Sequence, residues 1–354
     1  MEHGMNRGKP QKFDLLSGKI RELVGPDGAK LPSERELANR FSCSHLTVRR
    51  ALKLLSGSGT VHAAPGRGWF SGPDLPQHRT VNQIGFMFPD DEIFYYRIFA
   101  EVERVSASNG LHPVVHLTGG SETKENELLD YFEHSGMLAL IAVPNRLCAE
   151  RYRHLKIPVL FFDMRLPELD VPQIVSDDHS GAMSAVEQLI RLGHARIAHI
   201  GSEYDYTGEQ RLNGYLDALR KYGVAVRKQL IKMRYPSREW GYHAARELFE
   251  LKHPPTAVFC ANDTIAAGVV NFCADRGIGI PEELSVIGFG NTQTAEYLDL
   301  SSVSQNQNKI SGAICANLGK LLKREEIPPL TVIPTTYIAR KSVRTPHPAS
   351  KKQC

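Results

Sequence analysis

The sequence predicts an α/β protein in two parts: a small helical head carrying a two-stranded hairpin, then a larger two-lobed domain built on two parallel sheets. Three observations predict it. Of the 43 Lys+Arg and 39 Asp+Glu, 12 and 7 fall in residues 1–75, and 31 and 32 in the rest, so the positive excess is confined to the start. Within that basic segment, short helical patterns are separated by tight turns and followed by a glycine-rich strand pair. From Val81 onward, apolar runs of strand length alternate with helical periods, in more units than one sheet would hold. At 354 residues the chain can bury more than one core.

Taken in order, Lys12 to Leu23 places Phe13, Leu16, Ile20 and Leu23 on one helical face, and Gly25-Pro26-Asp27-Gly28 stops it. Ser33 with Glu36 three residues on is a capping box, and a short helix runs from it to Arg40. After the turn Phe41-Ser42-Cys43, a third helix capped by Ser44 presents Val48, Ala51, Leu52 and Leu55 to a core. Its other face shows His45, Thr47, Arg49 and Arg50. That is a helix-turn-helix, and it puts short donors and guanidiniums where base edges lie in a major groove. Val61 to Ala64, then Pro65-Gly66-Arg67-Gly68, then Trp69-Phe70 reads as a hairpin wing, whose Arg67 suits a narrow minor groove. No acid occurs between Leu37 and Pro73, while Arg40, Arg49, Arg50, Lys53 and Arg67 do, which points to a polyanion partner.

The blocks LPSERELA (31–38), TVRRAL (47–52) and GRGWF (66–70), in this order, resemble the GntR-type winged-helix domain over residues 11–71. The resemblance implies double-stranded operator DNA as a partner. By position, it implies DNA contacts from Arg35, from Ser44, His45 and Thr47 at the start of the recognition helix, from Arg49, and from Gly66 and Arg67 at the wing. Arg50 is expected to be structural surface or a phosphate contact rather than to read a base edge. Where the family has Ser-Arg at the helix start, this chain has Ser44-His45.

The head is assigned to residues 1–70, with residues 1–12 a polar arm. SGPDLPQHRT (71–80), with two prolines and no apolar period, is read as a linker. Residues 81–345 form the two-lobed domain. Its predicted strands start with Ile84–Phe88 and continue through 114–117, 138–143, 158–162, 174–175, 196–200, 257–260 and 284–287. Helices lie between them, at 94–108, 124–134, 180–192, 210–222 and 262–275. Ligands in such sheets bind at the carboxyl ends of strands, here the cleft between lobes. Candidates at those ends are Asp90, Asp163, Arg211, Asn262 and Asp263, with Phe94, Tyr95 or Tyr96 as an aromatic plate. For Asp263 a helix-capping or structural role is expected ahead of a ligand contact.

The segments IGFMFPD (84–90), IPVLFFD (157–163), LIRLGHARIAHIG (189–201), QRLNGYLDALRKYGV (210–224), TAVFCANDTIAAG (256–268) and GIGIPEELSVIGFGNT (277–292) resemble the effector domain of LacI/GalR regulators. That domain is a relative of periplasmic sugar-binding proteins, of the type I two-lobed fold. With the GntR-type head, the whole looks like an arabinose-repressor architecture. The resemblance implies a ligand-responsive repressor with a small sugar-like effector, paired as a homodimer through this domain, with Asp163, Arg211 and Asn262 facing the ligand. Where the family often has Gly-Phe-Asp, this chain has Gly288-Phe289-Gly290, and Asn291 is the expected substitute for the lost carboxylate. A transport or chemosensory sugar-binding protein is the competing reading.

Enzyme classes find no support: there is no GxSxG, no GxxxxGK[ST], and Gly277-Ile278-Gly279 is a lone turn. His112 and His116 share a strand face without a third ligand, so neither metal nor cofactor is expected. Six cysteines without a CxxC pair, and no apolar run of about 18 residues, fit a reducing cytoplasm with no membrane role.

Overall fold

A computed structural model describes residues 12–26, 29–64, 67–72, 82–203 and 206–346. The expected polar arm up to residue 11 and the linker from residue 73 to 80 lie outside the described residues, as do Gly66 and Cys354. Residues 1–81 and 82–354 form two units.

In the first unit, α1 (Lys12–Arg21), α2 (Glu34–Arg40) and α3 (His45–Gly57) precede an antiparallel hairpin, β1 (Val61–Ala64) and β2 (Gly68–Ser71). The capping box at Ser33 is present in full, and Ser44 caps α3 through a bond from Thr47 N–H. Helices this short gain little alone and are held by a shared core of Ile20, Leu37, Val48, Leu52 and Leu55. The hairpin extends one residue into the segment read as linker, because Ser71 pairs with Val61 and its hydroxyl donates to the Pro26 and Ala29 carbonyls at 2.7 and 2.9 Å.

The second unit opens with β3 (Gln83–Phe88), α4 (Ile93–Ala107), β4 (His112–Leu117), α5 (Glu122–His134), β5 (Ala139–Ala142), α6 (Ala149–Arg153), β6 (Val159–Phe162) and β7 (Gln173–Ser176). It continues with α7 (Asp178–Arg191), β8 (Ile197–Ser202), α8 (Tyr206–Lys221), β9 (Ile231–Arg234), α9 (Arg238–Phe249), β10 (Ala257–Cys260), α10 (Asp263–Arg276), β11 (Ser285–Gly290), α11 (Gln293–Tyr297) and β12 (Ser301–Ser304). It closes with α12 (Gln307–Lys323), β13 (Leu330–Ile333) and β14 (Thr336–Ile338). Two six-stranded sheets result, in the orders β13-β7-β6-β5-β3-β4 and β14-β12-β11-β10-β8-β9. Every pairing is parallel except β12 with β14. Each sheet is covered on both faces, which is why strands such as Ala139–Ala142 and Val159–Phe162 are apolar throughout rather than alternating.

The chain passes between the lobes three times. It leaves the first after β7, returns between β12 and α12, and crosses again between β13 and β14. These passages are tied together. Asp177 N–H donates to the Ile333 carbonyl, Thr335 Oγ1 donates to the Asp177 carbonyl at 3.2 Å, and Asn306 donates to the Pro334 carbonyl. They form a narrow hinge with the cleft opening beside it.

In the second lobe, α9 and α10 cross at glycines. A Cβ on Gly268 would run into the Arg238 carbonyl, and one on Gly241 into that of Ile265. Gly268→Ala should therefore destabilise the protein by about 1–3 kcal/mol, although alanine is the better helix former. Gly312 of α12 faces open space, so Gly312→Ala should be neutral or stabilising by up to about 1 kcal/mol. Urea denaturation of the two variants checks the pair.

Candidate functional site

The head presents one face of α3 with the wing beside it. His45, Arg49 and Arg50 are exposed, as are Arg35 of α2 and Arg67 of the wing. Ser44 and Thr47 are joined hydroxyl to hydroxyl at 2.8 Å, so the cap also orients the first polar groups of α3. Glu34 organises the rest. It accepts from Arg49 Nε and Nη2 at 3.2 and 3.0 Å and from Trp69 Nε1 at 3.1 Å, with His45 Nδ1 3.5 Å away. Burial pushes the Glu34 carboxyl up, but the bonds from Arg49 and Trp69 and the charges of Arg49 and His45 outweigh it and hold it below its usual value. One carboxylate thus joins α2, α3 and the wing, a role that the PSER block does not disclose, because Glu34 meets Arg49 and Trp69 only in the folded head. Arg67 sits 5.5 Å over the Phe70 ring, on the hairpin rather than extended from it.

The larger unit holds a cavity of about 1110 Å³ between its lobes, lined by Asp90, Glu92, Phe94, Tyr95, Asn145, Asp163, Arg165, Arg211, Tyr235, Asn262, Thr264, Phe289, Gly290 and Gln305 among others. It lies at the carboxyl ends of strands of both sheets. Of the expected ligand residues, Asp90, Tyr95, Asp163, Arg211 and Asn262 meet there.

Each is held by its local structure. Asp163 follows β6 with φ 65°, a left-handed conformation that Asp tolerates, and it accepts from Tyr95 Oη at 3.0 Å and Gln305 Nε2 at 3.2 Å. Burial pushes the Tyr95 hydroxyl well above its usual pKa, so it stays a donor. Asn262 caps α10, its Oδ1 accepting from Ile265 N–H at 2.8 Å, which turns its amide nitrogen toward the cleft. Arg211 is buried. It donates to Asp178 at 2.9 Å and to the Ala261 carbonyl at 2.7 Å, and it stacks 4.0 Å over the Phe289 ring. Its guanidinium shapes the wall as much as it faces the cavity.

Two expected ligand residues lie elsewhere. Tyr96 is half-exposed on the far side of α4 and packs its ring edge-on to Phe88 at 5.6 Å. Consecutive helical residues cannot share a face, and Tyr95 takes the inward one. Asn291 does not line the cavity: its Oδ1 accepts from Arg340 Nη2 at 2.7 Å and its N–H donates to Ser302 Oγ at 3.0 Å. It cannot replace the carboxylate expected at position 290. Gly290 has φ 117°, where any side chain would be strained, and its Cβ would sit 3.5 Å from Asp263 Oδ2. Asp263 is the structural alternative of its two readings. Ser302 Oγ, Thr292 N–H and Thr292 Oγ1 satisfy it at 2.6, 2.7 and 3.0 Å.

Glu92 was missed. It stands at the start of α4, and its Oε1 accepts across the cleft from Thr264 Oγ1 at 3.3 Å and Asn262 Nδ2 at 3.4 Å. Burial, with the charge of Asp90, raises its pKa from 4.5 to about 7. Only the cross-lobe geometry reveals it, since no strand-end rule selects a residue four positions past the end of β3.

Residues 12–70 match the bacterial regulatory proteins of the gntR family, and residues 186–343 match the periplasmic binding protein-like domain. The chain is 26% identical to the arabinose metabolism transcriptional repressor of Geobacillus stearothermophilus, over 89% of this chain and 91% of the relative. It is 32% identical to the HTH-type transcriptional repressor CytR of Escherichia coli (strain K12), over 78% and 81%. A periplasmic binding protein/LacI transcriptional regulator from Alkaliphilus metalliredigens QYMF, solved with D-xylulofuranose, shares the fold with a TM-score of 0.66 and 22% identity, covering 74% of this chain and 98% of that one. Among the described residues, no helix is long and apolar enough to cross a membrane.

The raised pKa of Glu92 makes a pH prediction. The folded state holds this proton more tightly than the unfolded chain, so stability present below about pH 4.5 is lost as pH rises to about 7. Relative to Glu92→Gln, the native protein should lose about 2 kcal/mol of unfolding free energy between about pH 5 and pH 8, measured by urea denaturation.

Proposed function

The chain belongs to the LacI/GalR family of transcription regulators and carries a gntR-family head, and on that premise we propose that it represses by a cleft-operated release of DNA. It is a DNA-binding regulator controlled by a small ligand. In the proposed scheme, a sugar-like ligand enters between the lobes, bonded by Asp163 and Asn262 and stacked on Tyr95 or Phe289. Its hydroxyls draw the lobes together about the hinge. Two chains pair through the large unit and set two heads over a near-palindromic operator, each head reading one half-site. Arg49 and His45 reach base edges, and Arg35, Arg50 and Arg67 hold phosphates or the minor groove. Closure shifts the spacing of the heads and lowers operator affinity by the coupling energy, typically about 1–3 kcal/mol.

The observation that carries this reading is the cross-lobe contact at Glu92, where polar groups of both lobes already meet inside the cavity. The sugar found in the Alkaliphilus regulator and the name of the Geobacillus relative support a carbohydrate class. The head is what a transport protein would lack.

The two halves are separable by mutation. Arg49→Ala should weaken binding to an operator fragment by about tenfold or more while the ligand-induced rise in melting temperature persists. Asp163→Asn, which keeps the backbone conformation, should bind the operator normally and lose the ligand response. Fluorescence anisotropy and thermal shift on the same preparations check both, and a reversed pattern would overturn the assignment.

A further inference from the structure

The chemistry of the cavity wall says more about its ligand than the fold does. Its described lining contains eight carboxylates against three guanidiniums and no lysine. One of the three, Arg211, is already spent on Asp178 and the Ala261 carbonyl.

The buried and partly buried carboxylates of the wall differ in how well the protein satisfies them. Glu125 accepts from Asn145 N–H at 2.9 Å and Tyr152 Oη at 2.7 Å. Asp263 accepts three bonds of 2.6, 2.7 and 3.0 Å. Glu92 has only its two long bonds, 3.3 and 3.4 Å, both to the same oxygen. Two residues away in sequence, Asp90 accepts the Glu92 N–H at 3.0 Å. A carboxylate drawn from water needs strong donors or a cation; Glu92 has only the long bonds, and the guanidinium whose charge reaches it, Arg211, makes its own bonds to Asp178 and the Ala261 carbonyl.

From this contrast we infer that the ligand is a polyhydroxylated molecule bearing an ammonium group, received by Glu92 with Asp90 beside it. The inference rests on the reading of the cleft as the sensor's ligand site. An ammonium placed there replaces the long bonds of Glu92 with a charge-assisted one and lies between two carboxylates, Glu92 and Asp90. A carboxylate or phosphate on the ligand at that end faces Asp90 and Glu92 and gains no charge-assisted bond from them. Glu92 also spans the lobes through Asn262 and Thr264, so the group that reads the charge is the one that would register closure.

The test is isothermal titration calorimetry of the full chain with matched hexose triplets. In the gluco, galacto and manno series, each neutral hexose is compared with its 2-amino and its uronate counterpart. The amino member of at least one series should bind about tenfold or more tighter than the neutral member, with the uronate weakest, and Glu92→Gln should collapse the preference. A neutral hexose or uronate that binds as tightly as the amino sugar overturns the inference and leaves the cleft as a sugar site. A preference that survives in Glu92→Gln overturns the role given to Glu92. Absence of binding by every member up to about 10 mM overturns the inference, and the carbohydrate reading beneath it falls only if D-xylulose and L-arabinose, titrated in the same way, also fail to bind.

Discussion

The triple passage of the chain between the lobes is the constraint on which the sensor depends. Three passages of backbone, joined by the bonds of Asp177, Asn306 and Thr335, hold the lobes together along one edge, which is the geometry the proposed closure requires. Because both sheets present their carboxyl ends on the same side of this hinge, the loops that carry functional groups face one another. Gln305 lies within the hinge and donates to both Asp163 and Ser176, at 3.2 and 3.3 Å, so the cleft floor is bonded to the crossing segment.

Around that floor, polar burial is tightly organised. The Arg211–Asp178 pair is a weak source of stability, since desolvating both ions offsets most of their attraction. Its value lies in position: it fixes the guanidinium against Phe289 and leaves the acceptors of the opposite lobe for a ligand. The head uses the same device on a small scale. Glu34 draws Arg49 and Trp69 to one point, so the recognition helix and the wing keep a fixed relation within a core too small to impose it by packing alone.

The fold was legible because its strands are buried on both faces and its helices begin at recognisable caps. Ser33, Ser44 and Asn262 could be read directly as helix starts. The elements from β9 to α9 and from β12 to β14 were not resolved from sequence: Ile231–Arg234 is only partly buried, and the small residues of Ser301–Ser304 carry little apolar signal. In the cleft, strand ends located Asp90, Asp163 and Asn262. Tyr96 and Asn291 failed because helical phase and a competing partner, Arg340, decide where a side chain points. Glu92 and Gln305 were invisible because their importance comes from a lobe distant in sequence. Gly290 was recognised as a departure, yet only its φ of 117° explains why a carboxylate is not simply restored there.

The central claim is that the cleft and the DNA-binding face are energetically coupled, and coupling of this kind is reciprocal. The most direct measurement is the affinity of the sensor for its ligand with and without a saturating operator fragment, selected from random DNA by the protein itself. The account predicts that operator weakens ligand binding by the same factor by which ligand weakens operator binding, about 5–150-fold. Equal ligand affinities in the two conditions would contradict it.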